Sequence, residues 1–179
     1  MATVPNEITY SAGSVLTAAQ LNTNLRDAIN FVITNRPILE VRQTSVQSIS
    51  GATSTAINFD AEDIDNDGMH STSSNTSRAT AQTAGRYRVG GGISWAGNGA
   101  GRRNCQWAIN GAVQNGVDAG IAAGGNTNAL PVAARSMTLH LNVGDYLELL
   151  GFQDCGGSLN TAVTTSQQPG MSVEWIGTT

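Results

Sequence analysis

The chain has 179 residues, 40% hydrophobic and only 12% charged, which is enough for one ordinary domain with a core and a short appendage. All nine basic residues are arginines, and the net charge of −4 argues against nucleic-acid binding, which needs a basic surface. The sequence shows neither a signal-peptide pattern nor an apolar run of the ~20 residues that a membrane-spanning helix requires. We therefore expect a protein that is made and folded in a cytoplasm, without insertion into a membrane.

One helix is predicted near the N-terminus, over about residues 17–35. Thr17 and Gln20 have the spacing of a capping box, in which the two side chains satisfy backbone N–H groups that have no partner at a helix start. Pro37 ends the helix, because proline cannot continue it. Between these signals, residues at helical spacing form one apolar face: Leu21, Leu25, Ala28, Ile29 and Val32.

The apolar face needs a partner, because a helix of this length draws most of its stability from packing. The 4-3-4 spacing of Leu21, Leu25, Ala28 and Val32 fits a short parallel coiled coil. Packing on the chain's own domain or on a neighbouring protein fits equally well. We interpret residues 1–43 as an anchor segment that binds a partner through this helix.

An acidic turn, "DIDNDGMH" at residues 63–70, begins like a calcium-binding loop. Asp63, Asp65 and Asp67 alternate and Gly68 follows, but the twelfth position is Ser74 instead of the glutamate that an EF-hand requires. Two interpretations stay open. One is a looser oxygen cage in which Ca²⁺ neutralises three crowded carboxylates. The other is a solvated turn whose side chains bond to their own backbone.

After the helix the hydrophobic period changes to alternation, which predicts about eight short strands joined by tight turns. Residues 85–95 place alternate apolar side chains on one face, and residues 105–109 do the same before Asn110-Gly111, the strongest short signal for a two-residue hairpin. Residues 137–143 and 171–175 also alternate. The pattern predicts an all-β antiparallel sandwich or jelly roll, preceded by one short N-terminal α-helix.

Three segments rich in glycine and asparagine are predicted to be loops that provide a contact surface: 97–104, 110–129 and 154–170. Catalytic chemistry has little support, since no H-E-x-x-H, G-x-S-x-G or phosphate-loop pattern occurs. A hydrolase acting on a polysaccharide would need a carboxylate pair such as Asp118 with Asp154. We predict that the protein is not an enzyme.

The other polar and thiol side chains are expected to have structural or solvated roles. His70 and His140 are predicted to be solvated, and His70 is also a candidate to join a metal at the acidic turn. Cys105 alternates with Trp107 and Ile109 and is expected in the core, whereas Cys155 lies beside two glycines and is expected in a loop. Two cysteines make no disulfide framework, and whether these two are bridged stays open. The doubled pair Arg102-Arg103 is expected to form an ion pair or to be solvated.

Four segments resemble, in their order and spacing, the C1q/TNF-like jelly roll: "AGRYRVGGGISW" (84–95), "WAINGA" (107–112), "VGDYLELLGFQ" (143–153) and "SVEWIG" (172–177). The resemblance covers residues 44–179 and implies one jelly-roll domain over that range. The family is typically a compact trimer, so the resemblance also implies a homotrimer. Four aromatic residues are then candidates for the core or the trimer interface: Tyr87, Trp95, Trp107 and Trp175.

The N-terminal stretch "TVPNEITYSAGSVLTAAQLNTNLRDAINFVITNRP" resembles the opening of virion structural proteins of tailed phages that infect actinobacteria. The resemblance implies a protein displayed on the virion surface, with its N-terminal segment bound to other capsid or tail proteins. It would be either a minor tail or fibre protein that contacts the host, including a surface glycan, or a capsid decoration protein that stabilises the shell. The alternative is a calcium-dependent carbohydrate-binding module that uses Asp63, Asp65 and Asp67.

Overall fold

The structure is a computed structural model that describes residues 2–5 and 9–178. Residues 1 and 6–8 of the predicted anchor segment lie outside the described residues. The predicted helix is confirmed over residues 18–35. It consists of α1 (Ala18–Leu21), a π-helical stretch (Asn22–Arg26), α2 (Asp27–Asn30) and a second π-helical stretch (Phe31–Asn35).

The helix begins at the predicted capping box. The backbone N–H of Gln20 donates to the Thr17 hydroxyl at 3.2 Å, and the backbone N–H of Thr17 donates to the Gln20 side chain at 2.9 Å. The π-helical stretches are a difference from the predicted α-helix. They form i→i+5 hydrogen bonds and therefore wider turns than an α-helix has.

In the described part of the chain the helix is followed by fourteen strands, more than predicted because several are two-residue ladders with no sequence signal of their own. Their bounds are β1 (Ile38–Arg42), β2 (Ser48–Ile49), β3 (Thr55–Ala56), β4 (Ala61–Asp65), β5 (Arg78–Thr80), β6 (Gly85–Trp95), β7 (Arg102–Ile109), β8 (Ala112–Val113), β9 (Ala119–Ala122), β10 (Leu130–Ala133), β11 (Met137–Leu141), β12 (Tyr146–Gln153), β13 (Leu159–Asn160) and β14 (Gly170–Gly177).

The longer strands form two six-stranded antiparallel sheets. The first has the order β10-β6-β14-β1-β4, with β11 also paired to β6. The second has the order β3-β12-β7-β8, with β5 paired to β12 and β9 paired to β7. A short ladder joins β13 to β2. This arrangement confirms the predicted all-β antiparallel sandwich.

The core lies between the two sheets and is built from the alternating positions of the strands. On β6 the apolar residues of the predicted face are buried, and on β7 and β12 Trp107, Leu147 and Leu149 are fully buried. The sheets pack closely at Gly151, where a Cβ atom would lie 2.9 Å from the Ile93 side chain and 3.0 Å from the Trp95 ring. A larger residue at this position would have to displace these side chains.

The predicted hairpin is confirmed at the end of β7. Asn110 and Gly111 both have positive φ, 51° and 78°, as a type I′ turn requires. The turn is held from outside by Asp145, whose carboxylate accepts from the Asn110 side chain at 2.8 Å and from the Asn142 backbone at 2.8 Å. Two turns from distant parts of the chain are thus tied together at this end of the sandwich.

Strand β1 belongs to the sandwich, although the predicted boundary between residues 43 and 44 assigned it to the anchor. It lies between two partners, with Leu39 opposite Val173 of β14 on one side and opposite Asp65 of β4 on the other. The sandwich therefore includes residues 38–43. Among the described residues, no helix is both long and apolar enough to span a membrane.

Candidate assembly and contact surfaces

The N-terminal helix is fixed to the sandwich at its C-terminal end. The ring of Phe31, which is 4% exposed, packs edge-on against Trp175 with 5.1 Å between the ring centroids. The Arg36 guanidinium pairs with Glu174 at 2.8 Å. The Asn66 side chain donates to the Arg36 carbonyl and accepts from the Ile38 backbone, both at 2.7 Å. These contacts set the direction in which the helix leaves β1.

The apolar side of the helix faces away from the sandwich. Leu25 is 57% exposed and Ile33 is 77% exposed. Ala28, also predicted on the apolar face, is half-buried. The side chains that face outward, referred to here as the exposed stripe, are Leu21, Leu25, Ile29, Val32 and Ile33. The chain's own domain therefore does not cover the apolar face in this structure.

The polar side of the helix faces the body of the protein. A cleft of about 620 Å³, referred to here as the helix cleft, separates the helix from residues 2–5. Its helical wall is polar apart from Phe31, with Thr23, Asn24, Asp27 and Asn30 along it. The Asn24 side chain also donates a hydrogen bond to the Tyr10 hydroxyl. The polar face of this helix thus points toward the protein and its apolar face toward solvent, the reverse of an ordinary amphipathic surface helix.

The acidic turn does not bring its three carboxylates to one point. Asp63 pairs with Arg42 at 3.0 Å on the outside of the sheet. Asp65 accepts from the backbone N–H groups of Met69 and His70, each at 2.9 Å. Asp67 is buried and accepts from the Thr83 hydroxyl at 3.0 Å. Each aspartate holds a different part of the fold.

Calcium binding by Asp63, Asp65 and Asp67 stays a prediction that this geometry does not favour. In residues 2–5 and 9–178, no group of three or more His, Cys, Asp or Glu side chains is arranged to hold a metal ion. A calorimetric Ca²⁺ titration tests the prediction directly, because a ligand of the native state also raises its melting temperature.

His70 lies in a different environment from the one that we predicted. Its side chain is fully buried, whereas the sequence predicted a solvated loop position. Nδ1 lies 2.8 Å from the Glu62 carboxylate, and Nε2 lies 3.0 Å from the Thr76 carbonyl oxygen. Both partners are hydrogen-bond acceptors, and through these two contacts His70 joins β4 to the segment before β5.

Loops from three parts of the chain lie together at the end of the sandwich where β7 begins. We refer to residues 96–101, 123–128 and 154–157 as the distal loops. The Gly125 N–H donates to the Gly99 carbonyl at 3.0 Å, and the Ala123 N–H donates to the Gly101 carbonyl at 2.9 Å. The Asp154 carboxylate accepts from the Arg102 backbone at 2.6 Å and pairs with its guanidinium at 3.3 Å.

Arg103 lies beneath the distal loops and is 0% exposed, which differs from the predicted ion pair or solvated position. Its guanidinium donates to the backbone carbonyls of Asn98, Ala100 and Arg102 at 2.9–3.1 Å. No described carboxylate forms a salt bridge with it. The side chain therefore fixes the 96–101 loop through carbonyl dipoles alone.

The three predicted loops do not form one surface. Residues 110–116 follow the opposite end of β7 from the distal loops, and strands β8 and β9 lie within the predicted 110–129 loop. Asp118 accepts from the Asn104 side chain at 2.7 Å, while Asp154 binds Arg102. Both carboxylates of the hydrolase hypothesis thus have structural partners on β7 or at its start.

The four aromatic candidates for core or trimer interface are all buried within the single chain: Tyr87, Trp95, Trp107 and Trp175. The indole N–H of Trp107 donates to the Arg135 carbonyl at 2.7 Å, and that of Trp175 donates to the Ala84 carbonyl at 3.1 Å. Burial, with a smaller effect from the Asp67 charge, raises the pKa of Tyr87. Their side chains form part of the core of the sandwich, and Trp175 also contacts Phe31 of the helix.

Two residues that position these surfaces, Phe31 and Arg103, were not predicted to do so. Arg103 has a detectable signal, since it alternates with Cys105 and Trp107 and so falls on the inward face of its strand. Phe31 falls outside the apolar face predicted from helical spacing. Its contact with Trp175 joins residues far apart in sequence, which local patterns do not reveal.

Comparison with known proteins supports the fold and not a particular activity. No protein-family model matches the chain. No curated protein matches it either. Solved structures do match. Murine APRIL matches with a TM-score of 0.56 and 10% identity, over 78% of this chain and 98% of that one. The globular domain of zebrafish complement 1qA protein matches with a TM-score of 0.53 and 15% identity, over 77% of this chain and 92% of that one. Eiger TNF from S. frugiperda matches with a TM-score of 0.55 and 9% identity, over 80% of this chain and 96% of that one. The fold is therefore the C1q/TNF-like jelly roll.

Proposed function

We propose that this protein is a structural component of a tailed phage virion, displayed on the particle surface as a homotrimer and without enzymatic activity. Its N-terminal segment attaches to another capsid or tail protein, and the jelly roll projects outward. The virion assignment is supported by the resemblance of residues 3–37 to the opening of phage virion proteins. The trimer is supported by the C1q/TNF-like fold.

The observation that carries this proposal is the separation of the two exposed surfaces. The helix is seated on Trp175, which pairs with Tyr87 near the start of β6. The distal loops follow the other end of β6, whose 11 residues span about 36 Å. One end of the sandwich is thus available for attachment, and the other for contact with the surroundings.

Trimerisation raises the avidity with which the distal loops can bind a surface. They are built from small and polar residues on a rigid sandwich, a common location for binding residues. A single copy of such a surface binds weakly. Three copies on one particle convert the second and third contacts into intramolecular events, which raises the overall avidity.

Two positions on the virion agree with this arrangement. As a minor tail or fibre protein, the trimer would touch the host envelope, for example a surface glycan, through the distal loops. As a capsid decoration protein, it would sit on three-fold positions and stabilise the shell. The helix ends at Asn35 and β1 begins at Ile38, so no shaft separates helix and sandwich, which favours a knob close to the particle surface.

Immunogold electron microscopy of intact particles tests the proposal, using antibody raised against residues 38–178. We expect gold either over the whole head, which identifies a decoration protein, or at the tail tip, which identifies a host-contact protein. The control is the same antibody on particles of an unrelated phage. Absence of gold from every part of the particle, with the protein abundant in infected cells, would contradict the virion assignment.

A further inference from the structure

We propose that the exposed stripe of the N-terminal helix is the seam along which copies of this chain pack together, as three parallel helices around the trimer axis. This inference rests on the homotrimer of the proposed function. It assigns the helix to contacts between copies and leaves the residues ahead of it, including the exposed Val15 and Leu16, for attachment to the virion.

The helix has an inverted orientation on the sandwich. A surface helix ordinarily buries its apolar face on its own domain and exposes its polar face. Here the polar wall with Asn24 and Asp27 lines the helix cleft, and the Tyr10 hydroxyl binds Asn24 on that side. The exposed stripe faces outward along a helix about 27 Å long. An apolar strip of this length needs a covering partner outside the chain.

The absence of charge on the exposed stripe favours another copy of the chain as its partner. In a parallel arrangement around a three-fold axis, each seam position meets the same position of its neighbours, so any charge on the seam would meet its own kind. The exposed stripe carries no charge. The charged residues of the helix are Arg26 and Asp27, which pair with each other at 2.8 Å, and Asp27 lies on the cleft side. A self-contact therefore meets no repulsion along its length.

The spacing of the exposed stripe also suits a contact between parallel helices. Leu21, Leu25, Ile29 and Ile33 are four residues apart. In an α-helix of about 3.6 residues per turn, every fourth residue drifts around the axis. The two π-helical stretches have wider turns and counteract that drift. The stripe therefore runs along the helix, as a contact with an identical parallel helix requires.

The helix is also held in a defined direction. The Phe31–Trp175 contact and the Arg36–Glu174 pair fix its C-terminal end to β14. Once three sandwiches are placed around an axis, the three helices take equivalent positions without further ordering. A seam that is positioned in advance costs less conformational entropy to form.

Thiol cross-linking on the full-length chain tests this inference. Leu25→Cys introduces a thiol on the exposed stripe, and Asn30→Cys introduces a matched control on the exposed cleft side of the same helix. Both variants carry Cys155→Ser, since the other native thiol, Cys105, is fully buried. Each is treated with a short bis-maleimide and run on a denaturing gel, with native mass spectrometry on the untreated protein.

We expect a covalent dimer band from Leu25→Cys and at least tenfold less of it from Asn30→Cys. Two results would overturn the seam while leaving the trimer intact: a native trimer in which neither variant cross-links, and a native trimer in which only Asn30→Cys does. In either case the exposed stripe would bind a virion partner instead. A native mass of one chain would overturn the trimer of the proposed function, and the seam with it. The double variant Leu25→Glu/Ile29→Glu gives a second test. We expect its copies to associate at least tenfold more weakly than those of the control variant Asn30→Glu.

Discussion

Arg102 and Arg103 are neighbours in the sequence but lie in opposite environments. The Arg102 side chain is largely exposed, pairs with Asp154 and lies over the Phe152 ring, with 5.0 Å from its guanidinium carbon to the ring centroid. Arg103 points into the sandwich and donates to three carbonyl groups of its own loop. A buried guanidinium costs desolvation energy unless such acceptors surround it. Arg103 thus holds the 96–101 segment of the distal loops from inside the sandwich.

Replacing Arg103 is expected to destabilise the protein far more than replacing Arg102. Arg103→Ala removes the donor to three backbone carbonyls and opens a cavity where the buried side chain was, so we expect a loss of about 3 kcal/mol or more in the free energy of unfolding. Arg102→Ala is the matched control and should cost less than about 1 kcal/mol, because its ion pair is exposed to solvent. Urea denaturation of both variants measures the difference. Equal losses would contradict the role assigned to Arg103.

The sequence predicts the environment of Arg103 only in part. The period-two alternation with Cys105 and Trp107 predicts an inward side chain, whereas the charge favours solvent. The deciding factor is the carbonyl groups of Asn98 and Ala100, which are available only because the folded loop turns back over the strand. His70 shows the same limit, since its partners Glu62 and Thr76 lie on neighbouring segments.

At the scale of elements, the turn around Asp145 shows how short polar residues fix a strand connection. Its carboxylate accepts from the Asn110 side chain, which is the largest cause of its lowered pKa, and from the Asn142 backbone. The Asn110 side chain also accepts from the Tyr146 backbone at 3.0 Å. The hairpin after β7 and the turn before β12 are therefore stabilised together.

This turn predicts a specific pH dependence. The pKa of Asp145 is lower in the folded chain than the usual value of about 3.9, so its stabilising effect is present above that pH and is lost as the pH falls through the lower, folded value. The free energy of unfolding of Asp145→Asn should lie below that of the parent by under about 1 kcal/mol at pH 7. The gap should narrow below about pH 4. Asn110→Ala should show the same narrowing; a gap that widens on acidification would contradict the assignment.

The helix is an element whose attachment is separable from the fold of the sandwich. Phe31 is its buried apolar contact with the sandwich in the described structure. Phe31→Ala should therefore loosen residues 18–35 while leaving the two sheets intact, since the cavity opens at the edge of the core. Hydrogen exchange followed by mass spectrometry should show faster exchange in that segment alone.

Thr34→Ala is the control for Phe31→Ala, because Thr34 is exposed near the end of the same helix. It should leave hydrogen exchange nearly unchanged. Faster exchange throughout the sandwich of Phe31→Ala would show that the helix is an integral part of the core. Unchanged exchange in residues 18–35 would show that other contacts hold the helix.

Elements were more predictable than their packing. The capping box at Thr17 and the Asn110-Gly111 hairpin are local, so spacing and turn chemistry were sufficient to predict them. The jelly roll followed from alternation and from resemblance. The sequence did not predict that the apolar face of the helix points away from the sandwich, because helical spacing identifies a face but not the surface that it contacts. Strand β1 was likewise assigned to the anchor because pairing with β14 is a long-range property.

At the scale of the whole molecule, the chain has two exposed surfaces at opposite ends of a rigid sandwich. The exposed stripe lies at one end, next to Trp175, and the distal loops lie at the other, above Arg103. A monomer with this arrangement would expose an uncovered apolar helix face to water. The trimer that we propose would cover that face and would present three sets of distal loops in the same direction. In this proposal, assembly and display are linked through one fold.

The oligomeric state of the full-length chain tests the account most directly. Native mass spectrometry at micromolar concentration should give a species of three times the chain mass of 18.5 kDa. The same species should persist on dilution, because apolar contacts along the helices and between sandwiches form together. A single species of 18.5 kDa at every concentration would contradict both the trimer and the role of the exposed stripe.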